Sequence, residues 1–186
     1  MTKKAIVLLA DGFEDVEAIT PIDYLKRAGI EVTTVSISDN PIVTSKWGGI
    51  KLTADTILAD LSDSACIWDA VVIPGGIPGA PNLAASETTC KLIKKMADNG
   101  KLICAICASP VIVLAPLGLV NGKQFTCYPG LEEKVTGGRW QDERVVIDGN
   151  IITSRAAGTT GEFAIAIINA LLGKDEGIKI AKAVLL

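Results

Sequence analysis

Short β-branched runs alternate with helical patterns from end to end of this 186-residue chain, and short turns join them. Lys4–Ala10 (KAIVLLA), Ile30–Ile37 (IEVTTVSI), Asp69–Ile73 (DAVVI) and Lys101–Ile106 read as strands. Helical patterns cover about Glu14–Ala28 and Glu87–Asn99, begin again near Ser109, and return over Gly161–Leu172 and Lys174–Val184. Such alternation predicts an α/β fold with a mainly parallel sheet and helices on both faces. Composition points the same way. Hydrophobic residues make up 49% of the chain, yet it holds only three Phe, three Trp and two Tyr. An interior of Ala, Val, Ile and Leu suits strands covered on both sides. Gln124–Tyr128 reads as a further strand, and Arg144–Asp148 with Asn150–Ser154 as a small β-hairpin turning through Asp148-Gly149-Asn150. Residues 38–64 are less regular, with two short strands or hairpin arms around Trp47-Gly48-Gly49 and Asp55–Leu61. No composition shift divides the chain, so a single domain over 1–186 is expected.

Several function classes fall away. The net charge is −3 and the basic residues are scattered, which gives no footprint for nucleic acid or an anionic membrane. No apolar run approaches the ~18 residues of a membrane span. The first residues reach Asp11 too soon for a secretory signal, so a cytoplasmic location is expected. Five cysteines, at 66, 90, 104, 107 and 127, form no regular framework and read as reduced thiols. There is no histidine. Its absence removes Ser-His-Asp and Cys-His catalysis within one chain, His-based metal sites and histidine pH switching.

Ligands of parallel sheets gather at the carboxyl ends of the strands. Three strands end there with unusual chemistry: Ala10-Asp11-Gly12, Ile73-Pro74-Gly75-Gly76 and Ile106-Cys107-Ala108. The last has the layout of a nucleophile elbow, an apolar strand stopping at a reactive residue with small residues opening a helix. A helix start behind the sulfur favours thiolate; an inert buried cysteine is the alternative. Cys104 and Cys107 also form C-x-x-C, but at ~3.3 Å per strand residue their Cα atoms lie ~10 Å apart, beyond the ~7 Å that a disulfide tolerates. Glu17 falls at the margin of the apolar side of the first helix, where burial would raise its pKa and fit it for proton transfer. It could equally serve the positive helix end, the reading preferred for Glu14 and Asp15. Pro74-Gly75-Gly76 is either a tight turn or a place where backbone N–H groups approach an oxyanion.

Leu9-Ala-Asp-Gly-Phe-Glu-Asp-Val-Glu17, Val72-Ile-Pro-Gly-Gly76, Ala105-Ile-Cys-Ala108 and Ile152-Thr-Ser-Arg155, running on through Gly158-Thr to Glu162-Phe163-Ala164, together resemble the ThiJ/PfpI superfamily and its branch containing the parkinsonism-linked protein deglycase. The resemblance covers nearly the whole chain. It implies a flavodoxin-like three-layer sandwich, usually a homodimer, with an oxidation-prone nucleophile at Cys107. It further implies that Glu17 hydrogen-bonds that sulfur and that Gly75, Gly76 and the Ala108 N–H form an anion pocket. Many members carry a histidine near the cysteine. Here Thr126-Cys127-Tyr128-Pro129 occupies that stretch, with Tyr128 in or beside the histidine's place, and Tyr128 and Cys127 become candidates for lining the pocket. No metal and no cofactor are implied.

Three functional readings follow. The first is a cofactor-free enzyme, glyoxalase or protein deglycase in type, acting on methylglyoxal, glyoxal or their early adducts on proteins. Its partners would be a small reactive aldehyde or a glycated protein. The second is an oxidative-stress sensor or redox-regulated chaperone working through oxidation of Cys107 to sulfinic acid. The third, a nucleotide- or flavin-binding module, has little support because Asp11-Gly12-Phe13 is too short and acidic for a phosphate loop.

Overall fold

The computed structural model describes residues 1–47, 49–61 and 67–186. Gly48 of the expected hairpin region, residues 62–64 of that region, and Cys66 lie outside the described residues. The chain runs β1 (Lys4–Leu9), α1 (Asp15–Arg27), β2 (Glu31–Ser36), β3 (Ile42–Thr44), β4 (Lys51–Thr53), β5 (Thr56–Ile57), β6 (Ala70–Ile73), α2 (Gly79–Ala85) and α3 (Glu87–Asp98). It continues with β7 (Leu102–Ile106), β8 (Gln124–Phe125), β9 (Arg139–Trp140), β10 (Val145–Asp148), β11 (Ile151–Ser154), α4 (Thr160–Leu172) and α5 (Lys174–Ala183).

Seven strands form the main sheet in the order β10-β11-β7-β6-β1-β2-β5. Every pairing in it is parallel except β10 with β11, the expected hairpin, in which Asp148 pairs with Ile151 across the turn. Every residue of β6, and all but the first of β1 and of β7, is buried. Side chains pointing to one face pack with Phe163, Ile167, Leu25 and Ile180 of α4, α1 and α5. Those on the other face pack with Leu83, Ile93 and Met96 of α2 and α3. The result is the flavodoxin-like three-layer sandwich. In the 38–64 region β3 and β4 pair as a separate antiparallel hairpin. Among the described residues no helix is long and apolar enough to cross a membrane.

Three segments differ from the pattern in the sequence. The helix expected from about Ser109 is only a five-residue π-type turn, Pro110–Leu114. The Ala115 N–H reaches back to the Pro110 carbonyl, and Pro116 has no N–H with which to continue the ladder. Conversely α2, GAPNLAA, forms where Gly, Pro and Asn give little helix propensity. Burial of Ala80 and Leu83 against the sheet, and the Ala80 N–H donated to the Gly76 carbonyl at 2.8 Å, hold it. Gln124–Tyr128 yields a strand of only two residues, which pairs with β9 outside the main sheet. Because β11 already has a partner on each side, the rest of this segment crosses the sheet end. There Thr126 N–H donates to Thr153 Oγ1 and Tyr128 N–H to the Cys107 carbonyl.

Candidate active site

From β1 the chain first builds outward through β2 to β5, then returns to lay β6 on the other side of β1. The connections leaving β1 and β6 therefore part company at their carboxyl ends, the topological switch point where open α/β sheets bind ligands. The loop Ala10–Glu14 and the loop Pro74–Gly76 flank that crevice, and β7, beside β6, delivers Cys107 to its rim.

Cys107 has φ +64°, a left-handed conformation that costs a residue with a Cβ roughly 1–2 kcal/mol. Three contacts hold the elbow. The Cys107 N–H donates to the Ser154 carbonyl at 2.9 Å, its own carbonyl accepts from Tyr128 N–H at 2.8 Å, and the buried Ser109 Oγ donates to the Pro74 carbonyl at 2.6 Å. The strained turn points the sulfur away from the strand, and the N–H groups of Ala108 and Gly76 act on it to draw its pKa down. Gly76 can turn its N–H this way because it adopts φ +95° and because a Cβ there would run into the Gly12 carbonyl.

Glu17 lies on the first turns of α1 and is 1% exposed. Glu14, the N-cap of that helix, accepts from the Glu17 N–H at 2.7 Å, the helix-end role expected of it. Glu17 itself turns inward. Its Oε2 accepts from Gly75 N–H at 2.9 Å, and its carboxyl and the Cys107 thiol interact as a hydrogen-bonded pair. The Gly75 N–H is thus directed at Glu17, and the N–H groups beside the sulfur are those of Gly76 and Ala108. Gly75 is the spacer between the two side chains. A Cβ on it would sit 2.6 Å from Glu17 Oε2 and 2.7 Å from Cys107 Cβ. Gly75→Ala is therefore expected to pry the pair apart, lowering the melting temperature by on the order of 4–8 °C and turnover at least about tenfold. Wild-type values for both, from a thermal melt and a rate assay, would show that the spacing is not needed.

Burial raises the Glu17 pKa to about 7, reinforced by the charge of Glu14 and opposed by hydrogen bonds from Cys107, Gly75 and Ala157. Burial and the Glu17 carboxylate also push the Cys107 thiol up, while the Ala108 and Gly76 amides pull it down. The thiolate expected from a helix start is not favoured here: burial above all keeps the proton on the sulfur, and the helical segment behind it is only one short turn. Two acids in contact titrate as a unit. The pair readily loses one proton and resists losing the second, so a Cys107 thiolate can form only while Glu17 keeps its proton.

A cavity of about 550 Å³ opens above the sulfur, lined at depth by Cys107, Glu17, Gly76 and Ala108 and further out by Trp47, Tyr128 and Lys134, among others. Tyr128 thus stands in the lining. Cys127 does not: it is fully buried, its sulfur 4.0 Å from Glu132 Oε2, and burial pushes its thiol up to about 12. Neighbours on an extended segment face opposite ways, which separates the two. Cys104 is likewise buried within β7, and Cys90, Cys104, Cys107 and Cys127 are all free thiols. Ser109, Ser154 and Ala157 were not singled out from the sequence. Ser109-Pro110, one residue removed from the cysteine, carries a signal for one of them, whereas the other two act through backbone groups that no side-chain pattern announces.

The DJ-1/PfpI family model matches residues 3–170. Protein DJ-1 homolog B of Arabidopsis thaliana is 39% identical over 97% of this chain, which spans only 41% of that protein. Glutathione-independent glyoxalase DJR-1.2 of Caenorhabditis elegans is 35% identical over 94% of this chain and 91% of its own length. The crystal structure of Drosophila melanogaster DJ-1beta superposes with a TM-score of 0.93 at 38% identity, covering 100% of this chain and 99% of that one.

Proposed function

Because this chain belongs to the DJ-1/PfpI family, we propose that it is a cysteine-dependent, cofactor-free enzyme of 2-oxoaldehydes, converting methylglyoxal or glyoxal, free or as early protein adducts, to the hydroxy acid. The observation that carries this reading is the buried carboxyl–thiol pair with two backbone N–H groups on the sulfur. The name of the worm relative supports the same chemistry.

The proton inventory of the pair matches the reaction. With the proton on Glu17, the Cys107 thiolate adds to the aldehyde carbon, and Glu17 protonates the new oxyanion to leave a hemithioacetal. The carboxylate so formed removes the hydrogen from that carbon. An enediolate results, its charge facing the Gly76 and Ala108 amides. A proton passes between its neighbouring oxygens, and Glu17 returns its proton to the second carbon, giving the thioester of the hydroxy acid. Water attacks the thioester carbonyl, Glu17 takes a proton from it, and the acid leaves as the thiolate is restored. Methylglyoxal and one water become lactic acid with no external oxidant or reductant. Histidine is not required, because one carboxyl makes every proton transfer that involves carbon.

The test is lactate formation from methylglyoxal by chelator-treated protein, without glutathione. Steady production at a rate proportional to protein is expected. No lactate above a heat-denatured blank would sink the reading and leave peroxide oxidation of Cys107 as the better account of the site.

A further inference from the structure

The cavity above Cys107 is far larger than a three-carbon aldehyde needs. Its volume of about 550 Å³ falls among sites that enclose drug-sized ligands, ~300–1,000 Å³. Its lining is also sorted by chemistry. At the deep end sit the sulfur and the two carboxyl groups of Glu17 and Glu14, and Glu14 is engaged with the Glu17 N–H. Ile77, Ile112 and Leu131 give an apolar wall, and Trp47 and Tyr128, 73% and 51% exposed, stand at the mouth.

Two cations share this lining. The Lys46 ammonium sits 4.3 Å from the centre of the Trp47 ring. Lys134 is exposed, and its side chain makes no hydrogen bond or ion pair among the described residues. Leu131 and Lys134 belong to one 3₁₀ turn, with the Lys134 N–H donating to the Leu131 carbonyl at 3.0 Å. Side chains three apart eclipse on such a turn, so an apolar surface and a free cation stand in line along one wall.

We infer, resting on the enzyme reading above, that the substrate class is 2-oxoaldehydes carrying a flat apolar arm that ends in an anionic group. The aldehyde reaches Cys107, the arm lies on Ile77, Ile112 and Leu131, and the anion pairs with Lys134. Methylglyoxal fills only the deep end and leaves the wall unused.

The test compares kcat/KM of the full chain for methylglyoxal, phenylglyoxal, 4-carboxyphenylglyoxal and the uncharged 4-carbamoylphenylglyoxal. Arylglyoxals are expected to exceed methylglyoxal by about tenfold or more, the scale of a filled apolar subsite. The carboxylate should exceed its carboxamide by about fivefold at low ionic strength, chiefly in KM, and lose that excess in about 0.5 M salt. Lys134→Gln should bring the carboxylate-to-carboxamide ratio to about one while the aryl preference persists. Methylglyoxal turned over as well as the arylglyoxals, or a ratio indifferent to Lys134→Gln, overturns the inference and leaves the enzyme reading standing. No turnover of any of the four removes both.

Discussion

Replacing Cys107 by alanine abolishes lactate formation from methylglyoxal and leaves the melting temperature within a few degrees of wild type. The sulfur is the bond-forming atom in the proposed reaction, so its loss removes the route rather than slowing one step. Losses of nucleophiles from comparable sites reach ~10⁴-fold or more. Among the described residues no other thiol can stand in. Cys104 is buried inside β7, Cys127 faces Glu132 from within the core, and Cys90 lies on α3. Stability should change little, because alanine meets the same left-handed φ of +64° as cysteine and the side chain is only partly buried. Cys107→Ser gives a sharper comparison. It keeps a hydroxyl for Glu17 to bond but offers no anion near neutral pH, so it should be as inactive as alanine. Lactate formation by either variant above about 1% of wild type would show that the reaction does not pass through this sulfur.

The parallel core of the fold was legible because β1, β6 and β7 are apolar at nearly every position, and only a doubly covered sheet can hide such strands. The place of the candidate site was suggested by chemistry at strand ends: Asp11-Gly12, Gly75-Gly76 and Cys107 follow adjacent strands that the sequence could name but not order. What it could not give was direction. Glu17 and Gly75 were both visible as candidates, yet the Gly75 N–H turns to the carboxyl and not to the space beside the sulfur, a choice fixed by backbone torsion alone. Cys127 and Tyr128 posed the same problem. Alternation says that neighbours diverge, but only the crossing of 126–128 over the sheet end decides which one meets the cavity. The weak helix α2 and the failed helix after Cys107 mark the opposite errors. Tertiary burial made a helix of a poor sequence in one case, and Pro116 cut short a good one in the other.

Glu17→Gln should separate the carboxyl's catalytic role from its cost to the fold. Turnover is expected to fall ~10²–10⁴-fold, the usual contribution of a positioned acid–base group. The pH profile should change as well. In the wild type kcat/KM rises with pH through about 7, where the pair gives up its first proton, and stays level beyond, since the second is held far more tightly. In the glutamine variant the limb reports the thiol alone, which burial pushes up, so it moves to higher pH. Stability should run the other way. A carboxyl whose pKa rises from 4.5 unfolded to about 7 folded binds its proton more tightly in the native state. Its contribution is therefore complete below pH 4.5 and lost as pH climbs through about 7, roughly 3 kcal/mol in all. Glutamine is never charged, accepts the Gly75 N–H through its amide oxygen and can donate to the sulfur, so it escapes this loss. Urea denaturation at pH 5 and pH 8 should show the wild type losing about 2.5 kcal/mol more than the variant over that interval. Equal losses would mean that Glu17 is not protonated in the native protein at pH 5. The proton it gives to the first oxyanion would then have to come from elsewhere.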